Sequence, residues 1–275
     1  MDEEFDIIIE PNKSIKKYWK EIWDYRELLY FLSLRDFLVR YKQTAIGVAW
    51  AIIRPLIIMI IFTIVFGKIA KLPSDNIPYS LLVFSGMIPW QLFSSIISEA
   101  SSSVISNANM ITKVYFPRLI IPLSTVLVCL IDFLISFSIL IILMFWYEYL
   151  PSLKILLLPV LILLTIFCSL GFGIWLSALN TKYKDFKHLI PFLIQFGLYI
   201  SPVGFKSEII SNKWIILYSL NPMTGIIESF RYILLDKYSQ YLPIQLTLSI
   251  IISTIFIITG TIYFRKIERS FADFI

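Results

Sequence analysis

Long apolar runs constrain this chain more than any other feature of its sequence. A helix needs about 20 residues to cross a hydrocarbon core about 30 Å thick, and most of these runs reach that length. The six runs are Ala45–Gly67, Tyr79–Ile97, Ile120–Tyr147, Ile155–Leu179, Leu189–Val203 and Ile244–Phe264. Because lipid offers no partner to an open backbone, runs of this kind are expected to be helical. The sequence therefore predicts an all-α, polytopic membrane protein with six transmembrane helices.

Two charged residues lie inside these runs, and such residues are commonly functional. Arg54 stands nine residues into the first run, directly before Pro55, which is expected to break the helix. Asp132 stands 12 residues into the third run. At 1.5 Å per residue these positions lie about 14 Å and about 18 Å deep, and one hypothesis is that the two pair. The alternative is that Arg54 extends toward the cytoplasm while Asp132 bonds a neighbouring helix.

The distribution of Lys and Arg predicts the orientation, because these residues concentrate in cytoplasmic segments. With both termini inside, the cytoplasmic segments 1–43, 98–119, 180–188 and 265–275 hold 16 of the 24 Lys and Arg residues, and the outer segments hold seven. Both termini are therefore expected in the cytoplasm. The domain organisation that follows is a cytoplasmic N-terminus over 1–43, a transmembrane domain over 44–264 and a cytoplasmic tail over 265–275.

Two segments outside the runs are too apolar for ordinary loops. Ser14 to Lys42 alternates apolar residues with Lys and Arg, which predicts an amphipathic helix in the membrane interface. A plain cytoplasmic helix is the alternative. The outer segment 204–243 contains Trp214–Tyr218 and Met223–Leu235, neither of which is long enough to span. These are expected to form re-entrant or interfacial half-helices.

The chain lacks the residues that common enzyme classes need. One histidine, His188, and two cysteines, Cys129 and Cys168, leave almost no ligands for an N/S metal site. Gly67-Lys68 is followed by Ile and does not form a phosphate-binding loop. Membrane orientation explains the net charge of +5, so no nucleic-acid partner is expected. We expect a transport subunit that is not an enzyme, with its energy supplied by another subunit or an ion gradient.

Four stretches resemble the motifs of one family. They are Arg40–Trp50 followed by Arg54-Pro55-Leu56, Asn107–Arg118, Leu179–Asp185 continuing to Ser201-Pro202, and Asn221–Arg231. In their order and their positions between the spans, they are similar to the permease subunits of ABC-2-type exporters for O-antigen, capsular polysaccharide and teichoic acid. Ile46 and Lys184 stand where that family usually has Leu and Arg.

The resemblance implies partners and a location. The family's permease forms a homodimer in the bacterial or archaeal cytoplasmic (inner) membrane and binds two copies of a separate ABC ATPase. ATP and Mg would be used by that ATPase, so this chain is expected to bind no cofactor and no metal. The cargo would be a lipid-linked glycan.

The resemblance also implies two sites outside the spans. A coupling segment at about 107–117 would seat in the ATPase; a plain turn joining two spans is the alternative. Its residues would be Asn107, Met110, Ile111, Lys113, Val114, Tyr115, Phe116 and Pro117. An outer gate at about 204–243 would include Ser201, Pro202, Asn221, Pro222, Glu228 and Arg231. At their i, i+3 spacing, Glu228 and Arg231 can pair on one helical face.

A sugar polymer has many hydroxyls but also apolar C–H faces, so its path needs hydrogen-bond partners and flat aromatic surfaces. Aromatic side chains provide a large contact area at a modest loss of rotamer freedom. The candidates for this path are Tyr41, Trp50, Trp90, Phe93, Phe196 and Tyr199. The alternative is that the Trp and Tyr residues form interface belts and the Phe residues face lipid.

The function expected from these features is that of the membrane-spanning subunit of an ATP-driven exporter for a lipid-linked polysaccharide, as in lipopolysaccharide biosynthesis. An ABC-2 permease for a drug or small lipid is a close alternative. An ion-coupled flippase that acts without an ATPase is an alternative from another class. A membrane-embedded glycosyltransferase is a third, but we find no acidic catalytic pair for it.

Overall fold

The computed structural model describes residues 15–42, 47–74, 77–268 and 271. Within these residues every regular element is helical and no strand occurs, so the all-α prediction is confirmed. The helices are α1 (Ile15–Asp24), α2 (Arg26–Lys42), α3 (Gly47–Phe62), α4 (Tyr79–Ser106), α5 (Ala108–Ile111), α6 (Ile120–Trp146), α7 (Leu158–Lys182), α8 (Phe186–Ile200), α9 (Ile215–Tyr218), α10 (Pro222–Leu235) and α11 (Leu242–Glu268). Residues 1–14 and most of the tail lie outside the described residues.

Five helices of the described part are long and apolar enough to cross a membrane. They are Ala49–Ile69, Tyr79–Ser106, Ile120–Trp146, Leu153–Lys182 and Leu242–Glu268. The fifth predicted span corresponds to α8, which has only 15 residues and contains Pro191. The chain is therefore a multi-pass membrane protein.

The first span does not break at Pro55 as the sequence predicted. Helix α3 continues through Pro55 and then changes to a π-helix over Thr63–Ile69. A proline removes one backbone donor and crowds the preceding turn, which in lipid normally calls for compensation by neighbouring groups. Here the helix tolerates the proline and the irregular turn follows eight residues later.

Helix α4 is the central helix of the bundle and packs against α6, α7 and α10. In its most apolar 18-residue window, 72% of the residues are buried inside the protein, against 17% for the first span. Helices α7 and α11 pack closely because two glycines face each other. A Cβ on Gly171 would lie 2.7 Å from the Ile257 nitrogen, and one on Gly260 would lie 2.7 Å from the Gly171 oxygen. Small residues at such crossings allow backbones in membranes to approach.

The N-terminal segment forms two helices, divided at Tyr25, instead of the single interfacial helix expected from the sequence. Helix α2 follows α6 in the same direction. The Ser33 hydroxyl donates to the Ser124 carbonyl at 2.9 Å, and Arg40, two turns later, donates to Asp132 at 2.7 Å. The remaining amphipathic surface is on α1, where Trp23 is 70% exposed. Helix α1 therefore keeps the character of an interfacial helix.

Helix α10 is too short to span, and all of its residues except Tyr232 are buried. The Asn221 side chain caps its first turn by accepting from the Met223 backbone nitrogen at 3.0 Å. Its C-cap, Asp236, is left-handed with φ of 54° and forms an ion pair with Lys154. The hydrogen bond from Lys154 lowers the pKa of the Asp236 carboxyl below its usual value. Both ends of α10 are therefore fixed to the chain around it.

Candidate functional site

An open cleft of about 940 Å³ lies between α2, α3, α4, α6 and α8. A ligand pocket usually has about 300–1,000 Å³, so this cleft is large enough for several sugar rings or a comparable organic group. The residues that line it are Arg40, Tyr41, Trp50, Ala51, Arg54, Pro55, Ile58, Met87, Trp90, Gln91, Ser94, Ser95, Ser98, Glu99, Asp132, Ser136, Pro191, Ile194, Gln195 and Leu198.

One end of the cleft holds a charged cluster centred on Arg40. The Arg40 guanidinium donates through Nη1 to Asp132 Oδ2 at 2.7 Å and through Nη2 to Glu99. The Tyr41 hydroxyl donates to the second oxygen of Asp132. These groups come from α2, α4 and α6, and they are about one-quarter to two-fifths exposed. The cluster therefore fixes α2 against the two spans and leaves polar atoms facing the cleft.

The predicted ion pair between Arg54 and Asp132 is wrong. Both residues line the cleft, but Arg40 is the cation that binds Asp132. Arg40 lies outside the apolar runs, so depth within those runs does not point to it. It reaches Asp132 because α2 packs along α6. Among the described residues, Arg54 forms no ion pair, and its side chain faces the cleft from α3.

A polar stripe on α4 runs along the cleft. Gln91, Ser94, Ser95, Ser98 and Glu99 all line it, and their i, i+3, i+4 spacing places them on one helical face. Gln91 also accepts a hydrogen bond from Ser136 of α6 at 3.4 Å. The stripe belongs to none of the four sequence motifs, although its spacing within an otherwise apolar run is a signal in the sequence that marks it.

Three of the six aromatic residues predicted for a substrate path line the cleft: Tyr41, Trp50 and Trp90. The Trp90 ring packs close to the backbone of α8, because a Cβ on Gly197 would lie 2.7 Å from Trp90 Cη2. Glycine at that position therefore lets Trp90 occupy the space between α4 and α8.

The other three aromatic residues are placed elsewhere. Phe93 is buried and packs against Trp90 and against Phe172, with ring centroids 5.9 Å apart in the second pair. Phe196 and Tyr199 of α8 do not line the cleft and are 54% and 60% exposed. The helical phase of α8, which turns Ile194, Gln195 and Leu198 toward the cleft, accounts for this separation.

The predicted coupling segment forms one short helix, α5, followed by turns. Part of its expected apolar patch is buried within the chain and part is exposed. Ile111, Phe116 and Pro117 are buried within the chain, whereas Thr112, Lys113, Val114 and Tyr115 are exposed. The exposed surface of this segment consists of Asn109 and residues 112–115, Asn107 and Met110 are half-buried, and the buried residues hold the segment in place.

The residues predicted for an outer gate meet in a buried polar network. Arg231 donates to the carbonyl oxygens of Phe205 at 2.8 Å and Val203 at 2.9 Å, and pairs with Glu228 at 3.3 Å. Glu228 also accepts from the Ser207 backbone nitrogen at 2.9 Å. The predicted pairing of Glu228 with Arg231 is confirmed.

A second contact holds the same loop at the start of α10. The Asn221 amide donates to the Ser201 hydroxyl at 2.9 Å, and Pro222 occupies the first helical position, which favours proline. Pro202 and Ser201 are buried. The segment after α8 is thus fixed to α10 at two points. One is Asn221, just before the helix begins, and the other is Arg231, in its third turn.

Comparison with known proteins identifies the family of this chain. Residues 27–235 match the model of the ABC-2 type transporter. The chain belongs to the ABC-2 type transporter family. The matched region contains the cleft, the coupling segment and the buried network around Arg231.

Relatives of this ABC-2 family member include named transport proteins. It is 32% identical to the O-antigen export system permease protein RfbA of Klebsiella pneumoniae, over 90% of this chain and 94% of that protein. It is 26% identical to the protein of the same name from Myxococcus xanthus, over 82% and 85%. It is 25% identical to the polysialic acid transport protein KpsM of Escherichia coli, over 75% and 81%.

Proposed function

We propose that this chain is the membrane-spanning permease subunit of an ATP-driven exporter that moves a lipid-linked polysaccharide across the cytoplasmic membrane. The observation that carries the proposal is the cleft, which combines aromatic rings with a stripe of hydroxyl, amide and carboxylate groups. The names of the relatives support the substrate class. Carbohydrate recognition needs both kinds of surface, because sugar rings have hydroxyl edges and apolar faces.

The proposed assembly contains two copies of this chain and two copies of a separate ABC ATPase, which uses ATP and Mg. The many exposed apolar side chains of α3, α8 and α11 would contact lipid or the second copy. In the proposed topology α8 is a short crossing, the fifth of six in chain order, and α10 is re-entrant from the outer side. Both termini then face the cytoplasm, as the excess of Lys and Arg in the inner segments supports.

The cleft would bind the polymer weakly along its length. Trp50 and Trp90 offer faces for stacking, while Gln91 and the serines of α4 offer hydrogen bonds that can be exchanged as the chain moves. The Arg40 cluster would form one end of this path. Movement of the coupling segment by the ATPase would shift α3 and α8 between a closed and an open arrangement, since binding acts by favouring one of two states.

Replacing Trp50 with Ala should reduce polymer export by about three- to ten-fold, because one aromatic contact of this kind contributes about 0.5–1.5 kcal/mol beyond its buried area. Trp146→Ala is the matched control, since Trp146 is exposed at the end of α6 and does not line the cleft. Export would be measured as surface polymer in cells with equal amounts of inserted permease. Equal export by the two variants would remove Trp50 from the path.

Replacing Val114 and Tyr115 together with Ala should abolish most co-purification with the ATPase, because these side chains form the exposed part of the coupling segment. The matched control is the double variant Trp214→Ala, Ile216→Ala, whose side chains are equally exposed at the other end of the bundle. Pull-down from detergent extracts measures the effect. Undiminished capture of the ATPase by the Val114, Tyr115 variant would refute the docking role.

A further inference from the structure

Three segments that are distant in sequence meet at one carboxylate, Glu268, at the end of α11. Glu268 Oε1 accepts from the backbone nitrogen of Arg118 at 2.8 Å. Glu268 Oε2 accepts from the hydroxyl of Tyr18, in α1, at 3.0 Å. The Arg118 guanidinium donates back to the backbone oxygen of Glu268. Both oxygens of the carboxylate are thus used, each by a different segment.

Aromatic contacts surround this junction. The Arg118 guanidinium lies 5.8 Å from the ring centre of Phe271, which is fully buried and packs edge-on against Phe264 of α11. The Arg265 guanidinium lies 4.6 Å from the ring centre of Tyr18. Two cation–π contacts therefore support the same three-way junction that the hydrogen bonds form.

The junction adjoins the coupling segment. Arg118 directly follows Phe116 and Pro117, whose side chains are buried and anchor that segment in the bundle. Burial, together with the charge of Glu268, raises the pKa of the Tyr18 hydroxyl above its usual range, so Tyr18 remains a hydrogen-bond donor. Each oxygen of the Glu268 side chain accepts one hydrogen bond, so one group holds both segments.

We propose that Glu268 is a positioning residue that joins the coupling segment to α1 and to the end of α11. Displacement of the coupling segment then carries the interfacial helix α1 with it. The proposal rests on the proposed function, since it assigns a path to the motion that the ATPase would cause. Helix α1 would act from the membrane surface, where its exposed Trp19 and Trp23 contact the headgroup region.

The test uses the permease with its ATPase in proteoliposomes, and compares hydrogen–deuterium exchange with and without ATP. In the wild type we expect ATP to change exchange in both residues 108–116 and α1. In Glu268→Ala, both acceptor oxygens are lost, so neither the Tyr18 hydroxyl nor the Arg118 backbone nitrogen keeps its side-chain partner. We expect ATP to change exchange in 108–116 alone and the polymer exported per ATP hydrolysed to fall about five-fold or more.

Two further variants keep the test decisive. Tyr18→Phe removes only the bond to α1 and should reproduce the loss of the α1 response if Glu268→Ala does not assemble. Glu27→Ala removes a carboxylate from an exposed site on α2 and should behave as the wild type. An α1 response that persists in Glu268→Ala and Tyr18→Phe would overturn the proposal, as would a lowered melting temperature with unchanged export per ATP. Failure of the wild type to bind any ATPase would instead overturn the proposed function.

Discussion

Replacing Arg231 with Met should lower the free energy of unfolding by about 3–5 kcal/mol, because it leaves the carboxylate of Glu228 buried without its cation. The side chains of Arg231 and Glu228 are 2% and 7% exposed, so water does not substitute for the lost partner. The carbonyl oxygens of Val203 and Phe205 also lose their donor. Unfolding would be measured by denaturant titration of the permease in lipid bicelles.

The reason for this loss can be tested with a second substitution. Adding Glu228→Gln to Arg231→Met removes the buried charge and should recover part of the lost stability. Arg35→Met serves as the matched control, because Arg35 bonds Asp36 and Asn107 at the exposed surface, where ion pairs contribute about 0–1 kcal/mol. A cost for Arg231→Met no larger than that of Arg35→Met would contradict the role given to the buried pair.

Replacing Gly225 with Ala should cost about 3 kcal/mol of stability, at the upper end of the usual cost of overpacking. A Cβ at this position would overlap the backbone oxygen of Gln245 and the hydroxyl of Ser249 in α11. Because one of these atoms belongs to a helical backbone, the clash can be relieved only by moving α10 away from α11. The same unfolding measurement would show the effect, and export should fall with it.

Gly173→Ala is the matched control for this substitution. Gly173 is also buried in a helix, α7, but its added Cβ would meet only the Ala100 methyl closely, at 2.9 Å, with the next atom at 3.6 Å. Alanine also gains about 0.5–1 kcal/mol over glycine within a helix. A cost for Gly173→Ala that is clearly smaller than the cost for Gly225→Ala would identify the α10–α11 contact as the cause, because the Cβ at Gly173 meets one atom closely and the Cβ at Gly225 meets three. Similar losses of stability for both variants would instead show that an added methyl group at any buried glycine has this effect.

The spans and the buried pair of α10 could be predicted from the sequence because both depend on local pattern. Apolar length alone located five long helices, with their ends displaced by zero to nine residues. The i, i+3 spacing of Glu228 and Arg231 was sufficient to predict their pairing, which the structure confirms. Such contacts within one helix need no knowledge of how helices pack.

Contacts between helices could not be predicted in this way. The partner of Asp132 is Arg40 because α2 packs along α6, an arrangement that no periodicity within either helix encodes. The separation of Phe196 and Tyr199 from the cleft depends on the rotation of α8 about its axis, since one step of 100° per residue decides which face a side chain joins. The positions of aromatic residues in the sequence do not determine the rotation of α8.

The unequal burial of the cleft's walls limits how its width can change. Helix α4 is packed on most sides, so shifting it would disturb close-packed contacts throughout the bundle. Helix α3 buries few residues within this chain, and α8 buries only Ile190. Widening the cleft is therefore least costly when the Trp50 wall on α3 and the Gln195 wall on α8 move outward. The polar stripe of α4 then keeps its position, so the hydrogen-bonding groups offered to a bound polysaccharide stay in the same orientation while the cleft widens.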